Sequence, residues 1–461
     1  MLRFTVALSI ILFFLSASAH ADAGLAKTTA FVHVNVVPMD RERVLRDQTV
    51  LVRGDRIVAV GRSVDVPADA VRIDHRGTAW LSPGLADMHT HSQTKNDLAV
   101  YLANGVTSVL NMGDARAGFI DKIVPAINRG ELPGPHVYTS FLVDGSPKYN
   151  GFVVHTADDA RAFVRLAKTN GYDFIKVYVD LSPEVFSAFA EEGARLGLPV
   201  IGHGVYAVRL EQQIEQGQVL VAHAEEFFYT FFTPPGVEES DMPPDVRRIP
   251  EAIALVKRHG TTVTADLVTY AAIAHQIGHP DVVASFLARP ESYFLSPNDR
   301  VQWQTSDYVG KTAKLEAKLQ FLRRFVKAMA DAGVELVAGT DAPAVPGAMP
   351  GFSLHDDLAE LEASGLTRYQ ALTTATRAPG AFIERTKQGD RFGLVATGYR
   401  ADLILSSQNP LDSLATLRKP LGVMAAGQWR DAAALDALKD RVRESYRQAS
   451  AGADGRCRCE R

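Results

Sequence analysis

The chain has 461 residues, 46% of them hydrophobic and 22% charged, a balance that supplies a substantial buried core and excludes global disorder. A formal net charge of −4, with no long basic run, excludes the electrostatic field that nucleic-acid binding draws on. The length accommodates one large α/β domain with insertions plus a small accessory domain.

At the start of the chain, Arg3 precedes an apolar run from Phe4 to Leu15, followed by small residues ending in Ala19, His20 and Ala21. That order reads as a secretory signal peptide over residues 1–21, with the mature start near Asp22 and a periplasmic or secreted destination. The run is shorter than the roughly 20 residues a membrane span needs, so no stable membrane insertion is expected after cleavage. No cysteine follows it to carry a lipid. Residues 22–79 contain short strand-like runs, Ala30 to Val37, Thr49 to Arg53 and Ile57 to Val60, too few to form a complete sheet alone. Matching runs return late, at Gly398 to Leu405, Pro420 to Ala426 and Gln428 to Trp429. Both ends of the chain are therefore expected to combine into one small β-sandwich, formed by residues 22–79 and 393–430, with residues 431–461 as a C-terminal helix and tail. Cys457 and Cys459 lie in that tail, too close to close an unstrained disulfide loop and, without nearby histidine, a weak metal site.

Between these ends, residues 80–392 alternate short apolar strands with amphipathic helices, the pattern of a parallel sheet. Eight candidate strands are Leu85 to His91, Val106 to Met112, Val137 to Ser140, Phe174 to Asp180, Val200 to Gly204, Leu220 to Ala224, Thr262 to Asp266 and Leu336 to Thr340. Eight suits a closed (β/α)8 TIM barrel, an α/β fold. Helical periodicity marks Asp158 to Lys168, Pro183 to Leu196 and Asn298 to Ala332, the last long enough for two helices. The segment from Phe227 to Ile249, rich in aromatics, prolines and acids, reads as a loop over the barrel mouth.

The chemistry-bearing residues sit at the carboxyl ends of these strands. His89 and His91 lie two apart, so a regular strand presents both imidazoles to one point, an arrangement that suits zinc. His203 closes Val200 to Gly204, His223 sits in Val219 to Ala224, and Asp341 follows Leu336 to Thr340. A barrel gathers all such ends on one face. Lys176, flanked by apolar residues, is costly to bury as an ammonium. Either it pairs with an acid such as Asp180, or, beside two cations, its neutral amine takes up carbon dioxide and becomes a bridging carbamate.

In this order, Pro-Gly-Leu-Ala-Asp-Met-His-Thr-His, Phe-Ile-Lys-Val, Gly-His-Gly, Ala-His-Ala and Gly-Thr-Asp-Ala-Pro resemble the amidohydrolase superfamily, over about Ala30 to Gln428. The nearest branch is the prolidase-like and imidazolonepropionase-related one, which the helix from Leu354 to Leu358 and the run Tyr369 to Thr376 also resemble. The resemblance implies a binuclear site in which His89, His91 and Asp341 hold one metal, His203 and His223 the other, and N6-carboxylated Lys176 bridges them. It implies two divalent ions, zinc first, though manganese, cobalt or iron suit the same ligands. It further implies a metal-activated hydroxide that adds to a carbonyl carbon and so cleaves a C–N bond, with Asp341 as the base.

Several further residues keep two readings. Tyr229 is a candidate catalytic oxyanion donor or an ordinary loop tyrosine. His136 and His155 either line the pocket or sit at the surface, and Arg209 and Lys148 either pair with a substrate carboxylate or are solvated. The run Phe227 to Phe232 is either an apolar substrate wall or a packing cluster. The expected partner is a small-molecule amide or dipeptide, with bulky aromatic amides, including carboxylated toxins of the ochratoxin kind, also admitted by an apolar pocket. A cyclic amide or lactone hydrolase and a non-catalytic metal-binding module are the alternatives, and association into a homo-oligomer is compatible with the sequence.

Overall fold

The computed structural model describes residues 27–456 except 114, 150, 235, 238, 388 and 389. The expected leader and the Cys457 and Cys459 pair lie outside the described residues. Among those residues no helix is long and apolar enough to cross a membrane.

The first five strands are β1 (Thr28–Val36), β2 (Leu45–Arg53), β3 (Arg56–Gly61), β4 (Val71–Asp74) and β5 (Trp80–Pro83). The central region adds β6 (Leu85–Thr90), β7 (Val106–Asn111), β8 (His136–Asp144), β9 (Phe152–Val153), β10 (Phe174–Val177), β11 (Val200–Gly202), β12 (Leu220–Val221), β13 (Thr262–Thr264) and β14 (Leu336–Val337). Last come β15 (Leu403–Ser406), β16 (Gly422–Ala425) and β17 (Gln428–Asp431).

Both chain ends do build one β unit, as a single continuous sheet in the order β17-β16-β15-β5-β1-β2-β3, with β4 also on β1. β1 carries two partners on one edge: Thr29 to Val32 pair with β4, and Asn35 and Val36 with β5. Its backbone turns between them at His33, where φ is 52°. The sheet folds over its own face, as the bridge between Arg56 and Arg400 records, and encloses Phe31, Val50, Leu81, Leu403 and Met424.

Strands β6, β7, β8, β10, β11, β12, β13 and β14 are parallel neighbours in that order. β14 returns to β6 through the parallel bridge of Thr90 with Ala342 and the hydrogen bond from Met88 N to Ala338 O at 2.9 Å, closing the barrel. Its interior is filled by Met88, Leu110, Phe174, Ile201 and Val337, joined by Phe382 of the helix Arg377–Lys387, whose ring stacks 5.6 Å from Phe174. A packed interior leaves only the strand ends free for chemistry.

Helices Ala157–Thr169 and Pro183–Leu196 lie where periodicity placed them. Asn298 to Ala332 holds two, Pro297–Gln304 and Glu316–Asp331. The aromatic run resolves toward packing: Phe227, Phe228, Phe231 and Phe232 are buried, the rings of Phe227, Phe228 and Phe232 contacting Phe321 or Phe325 at 5.0 to 5.7 Å and Phe231 packing on Phe232 at 5.1 Å.

Arg400 locks the folded sheet to the amino end of the barrel. Its guanidinium donates to the buried Asp402 (2.7 Å) and Ser108 Oγ (2.5 Å) and to the half-buried Asp390 (2.8 Å), under β7 and β8. His136, at the amino end of β8, lies 3.8 Å from the same Asp390, at the opposite end of the strand from the barrel mouth. Removing one partner from a buried ion network strands the others without countercharge, so Arg400→Met is expected to lower unfolding free energy by about 3–5 kcal/mol. Urea titration measures this, and a loss below about 1 kcal/mol, the value of an exposed pair, would show that the network does not clamp the two parts.

Candidate active site

Five strands deliver the expected side chains to one face. β6 brings His89 and His91, β10 brings Lys176, β11 and β12 end just before His203 and His223, and β14 precedes Asp341. One oxygen of Asp341 lies 3.2 Å from His89 Nε2 and 3.0 Å from His91 Nε2. Lys176 Nζ lies 3.3 Å from His89 Nε2. The His89 ring is 4.2 Å from that of His223, which is 5.0 Å from that of His203. All six residues therefore meet. The convergence of His89 and His91 is not plain strand alternation, because the β6–β7 register shifts between Asp87 and Thr90.

Local backbone makes this approach possible. A Cβ on Gly202 would lie 2.2 Å from Val177 O, so only glycine lets β11 come this close to β10 just before His203. Asp266 and Asp341, both following strands, take left-handed φ of 46° and 56°, which aspartate tolerates better than most residues. Lys176 shares a strand face with Phe174 and is 1% exposed. Asp180, its alternative partner, is exposed and accepts from Ser146 Oγ at 2.7 Å.

Three imidazoles are anchored through Nδ1. His89 Nδ1 meets Ala222 O at 3.1 Å, His203 Nδ1 meets Glu226 at 2.5 Å, and His223 Nδ1 meets Asp266 at 2.6 Å. Such bonds fix the tautomer and leave each Nε2 lone pair for a cation, the arrangement that metal-binding histidines use. Glu226 also accepts from Gly204 N at 3.0 Å, and Asp266 from Thr269 Oγ1. Sequence reasoning passed over Glu226 and Asp266. The carboxylate two residues after a candidate strand and the one closing Thr262 to Asp266 were visible, but nothing local said which ring each would meet. Asp87 was also missed: it accepts from Thr340 Oγ1 at 2.7 Å and from His89 N, bracing the two strand ends that carry His89 and Asp341.

The electrostatics indicate room for positive charge. Burial pushes His203 down to about 4, against the pull of Glu226, and burial with His223 and Lys176 lowers His89 well below its usual range. Burial also opposes protonation of His223, yet Glu225, Asp266 and Asp341 outweigh it and raise it to about 10. Asp341 stays anionic: burial disfavours its charge, but His89 and His91 hold its carboxyl well below normal. The acids thus draw a proton onto an imidazole where a cation would otherwise balance them. Two donor groups, His89 with His91 and Asp341, and His89 with His223 and Asp266, have ligand atoms all within 4.8 Å of one another and could hold a metal ion. The donor set fits divalent metal.

The site opens into a cavity of about 600 Å³. Tyr178, Tyr206, Tyr229, Tyr270 and Tyr308 line it, as does Lys148. Arg209 instead staples backbone, donating to Phe231 O (2.9 Å) and Thr233 O (3.2 Å), and His155 is exposed.

A family model, Amidohydrolase family, matches residues 80–430. The chain is 24% identical to ochratoxinase of Aspergillus niger over 473 aligned positions, covering 87% of this chain and 86% of that protein. Among solved structures, bottromycin amidohydrolase superposes with a TM-score of 0.71 at 24% identity, covering 91% of this chain and 90% of the other. A protein described as a putative prolidase from Bifidobacterium longum gives 0.65 at 20% identity, covering 91% and 99%.

Because a ligand imidazole must be neutral, loading stripped protein with zinc at pH 8 is expected to release about one proton from His223. Calorimetry in buffers of different ionisation enthalpy reads it, and heats independent of buffer would contradict the charge balance described above. Glu226→Gln is expected to weaken metal binding about 10- to 100-fold, measured against a competing chelator. Unchanged affinity would mean that the Glu226 bond does not orient a ligand.

Proposed function

We propose, from the premise that this chain belongs to the amidohydrolase family and is a hydrolase of carbon–nitrogen bonds, that it cleaves the amide bond of a small acyl-amino acid or dipeptide in a prolidase-like reaction. The observation that carries this reading is the meeting of His89, His91, Lys176, His203, His223 and Asp341 at one barrel mouth, three of the rings anchored with Nε2 inward. His89, His91 and Asp341 would hold one divalent ion, and His203 and His223 a second. Zinc suits these ligands. Lys176, almost fully buried beside His89, would take up carbon dioxide there and, as a carbamate, would supply an anionic ligand. When bound, the ions supply Lewis acidity toward the amide carbonyl and acidify water.

The protein's own groups do the rest. Asp341, kept anionic by His89 and His91, takes the proton from the attacking water and delivers it to the leaving nitrogen. Tyr229 lies on the cavity wall, and burial together with Glu225 and Glu226 raises its pKa well above the ordinary phenol value. It therefore keeps its proton and donates a hydrogen bond to the developing oxyanion. The cavity falls in the usual size range of small-molecule sites, roughly 300–1,000 Å³. Its tyrosine-rich wall favours a second reading, a bulky aromatic amide, and the likeness to proteins named prolidase and ochratoxinase supports both. The charged and apolar order of residues 1–21 supports export to the periplasm or medium.

Zinc-reconstituted protein assayed against Xaa-Pro dipeptides and N-acyl amino acids tests the reading, and uniform inactivity would overturn it. Asp341→Asn is expected to cut turnover by about 10²- to 10⁴-fold while most metal stays bound. Near-normal activity in that variant would remove Asp341 from the role of base.

A further inference from the structure

The same cavity has a wall made by the helices Leu267–Gln276 and Glu316–Asp331 and the turn Asp307–Gly310. Tyr270, Ile273, Ile277, Tyr308 and Leu315 give it an apolar surface. Lys318 projects into that surface from the first turn of its helix. It is 4% exposed, its ammonium lies 5.2 Å over the ring of Phe228, and it pairs with Glu239. Lys311, also on this wall, packs 4.8 Å over Tyr308.

The two members of the Lys318 pair differ in freedom. The helix behind Lys318 is fixed by Phe321, Leu322 and Phe325 in the core, so the ammonium stays where it is. Glu239 is 32% exposed and sits on the surface segment between the turns Phe228–Phe232 and Val246–Arg248. Arg209 holds the start of that segment on Thr233 O, and Arg248 ties the two flanking turns together on Phe232 O at 2.8 Å. Near its middle, Asp241 accepts from Lys314 N at 3.0 Å. A buried ammonium needs an anion at all times, but that anion need not be Glu239. On the wall of a substrate cavity, a fixed cation with an exchangeable carboxylate partner is built to accept another carboxylate.

We propose that Lys318 recognises the carboxylate of the substrate, and that Glu239 occupies this position until substrate displaces it. The inference rests on the reading of this cavity as the substrate site. It selects amides that carry a free carboxylate beside an apolar group, because only an anion can replace Glu239 without leaving the ammonium unpaired. Neutral amides face the Lys318–Glu239 pair as a closed polar wall.

Titration calorimetry with 4-phenylbutyrate and its neutral analogue 4-phenylbutyramide, on metal-loaded protein, tests this without turnover. In Lys318→Met the acid is expected to bind about tenfold more weakly relative to the amide, the worth of one charge-assisted hydrogen bond. Glu239→Gln is expected to tighten the acid relative to the amide, and Lys318→Arg to keep the preference. An acid-to-amide ratio equal in all four proteins would place the carboxylate elsewhere, on the metal ions included, and overturn the proposal. So would a parallel shift of both ligands in Lys318→Met, which is what a purely structural role produces. If Lys318→Met does not fold, the tightening expected of Glu239→Gln and the preference kept by Lys318→Arg still decide. Hydrolysis of the peptide panel with no change in the ratio would refute the subsite alone. The expected ratios in a protein that hydrolyses nothing would refute the hydrolase reading alone.

Discussion

The site depends on bonds that hold imidazoles from behind. The His223 ring centre lies 4.2 Å from that of His89 and 5.0 Å from that of His203, a spacing that three cationic or freely turning rings would not keep. Ala222 O, Glu226 and Asp266 each take one Nδ1, so every ring has one orientation and its second nitrogen faces inward. Glu225, Asp266 and Asp341 also bring negative charge next to His223. That charge is what makes a cation, or failing that a proton on His223, favourable there.

The rest of the molecule can be understood as support for that cluster. The barrel interior is packed solid under it, which denies the strand ends any freedom to sink or tilt. At the opposite end the folded sheet of both chain termini is pinned by Arg400 to Asp390, Asp402 and Ser108. At the mouth, Asp87 ties β6 to Thr340, and Gly202 allows β11 to press against β10. The two left-handed aspartates, Asp266 and Asp341, are the places where regular backbone is given up, and both reach the histidines. Departures from regular geometry gather where groups must converge.

Around the cluster the cavity divides labour by chemistry. Carboxylates next to the histidines hold and orient the rings, whereas lysines stand on a wall of tyrosine and aliphatic side chains. The aromatic run after β12 contributes to both: Phe227, Phe228, Phe231 and Phe232 anchor the segment in the core, and Tyr229 faces the cavity. One stretch of sequence thus fixes a loop by burying most of its rings and leaves one on the cavity wall.

Much of this was legible in the residues. Short apolar runs alternating with helical periods give a parallel barrel, because strands covered by helices on the outside and packed within must be apolar on both faces. A ligand-type residue at each of several strand ends gives the cluster, because parallel strands in a barrel put all their carboxyl ends on one side. Lys176 stood out because a charge amid apolar neighbours demands a reason. What sequence could not decide was pairing across distance. Glu226 reaches back 23 residues to His203 and Asp266 43 residues to His223, Arg400 binds a serine 292 residues away, and Glu239 meets Lys318 across 79. A residue's type and its place along a strand are set by local periodicity, but the partner that fixes its tautomer, charge and direction is chosen only when the barrel closes and brings remote segments within hydrogen-bonding reach.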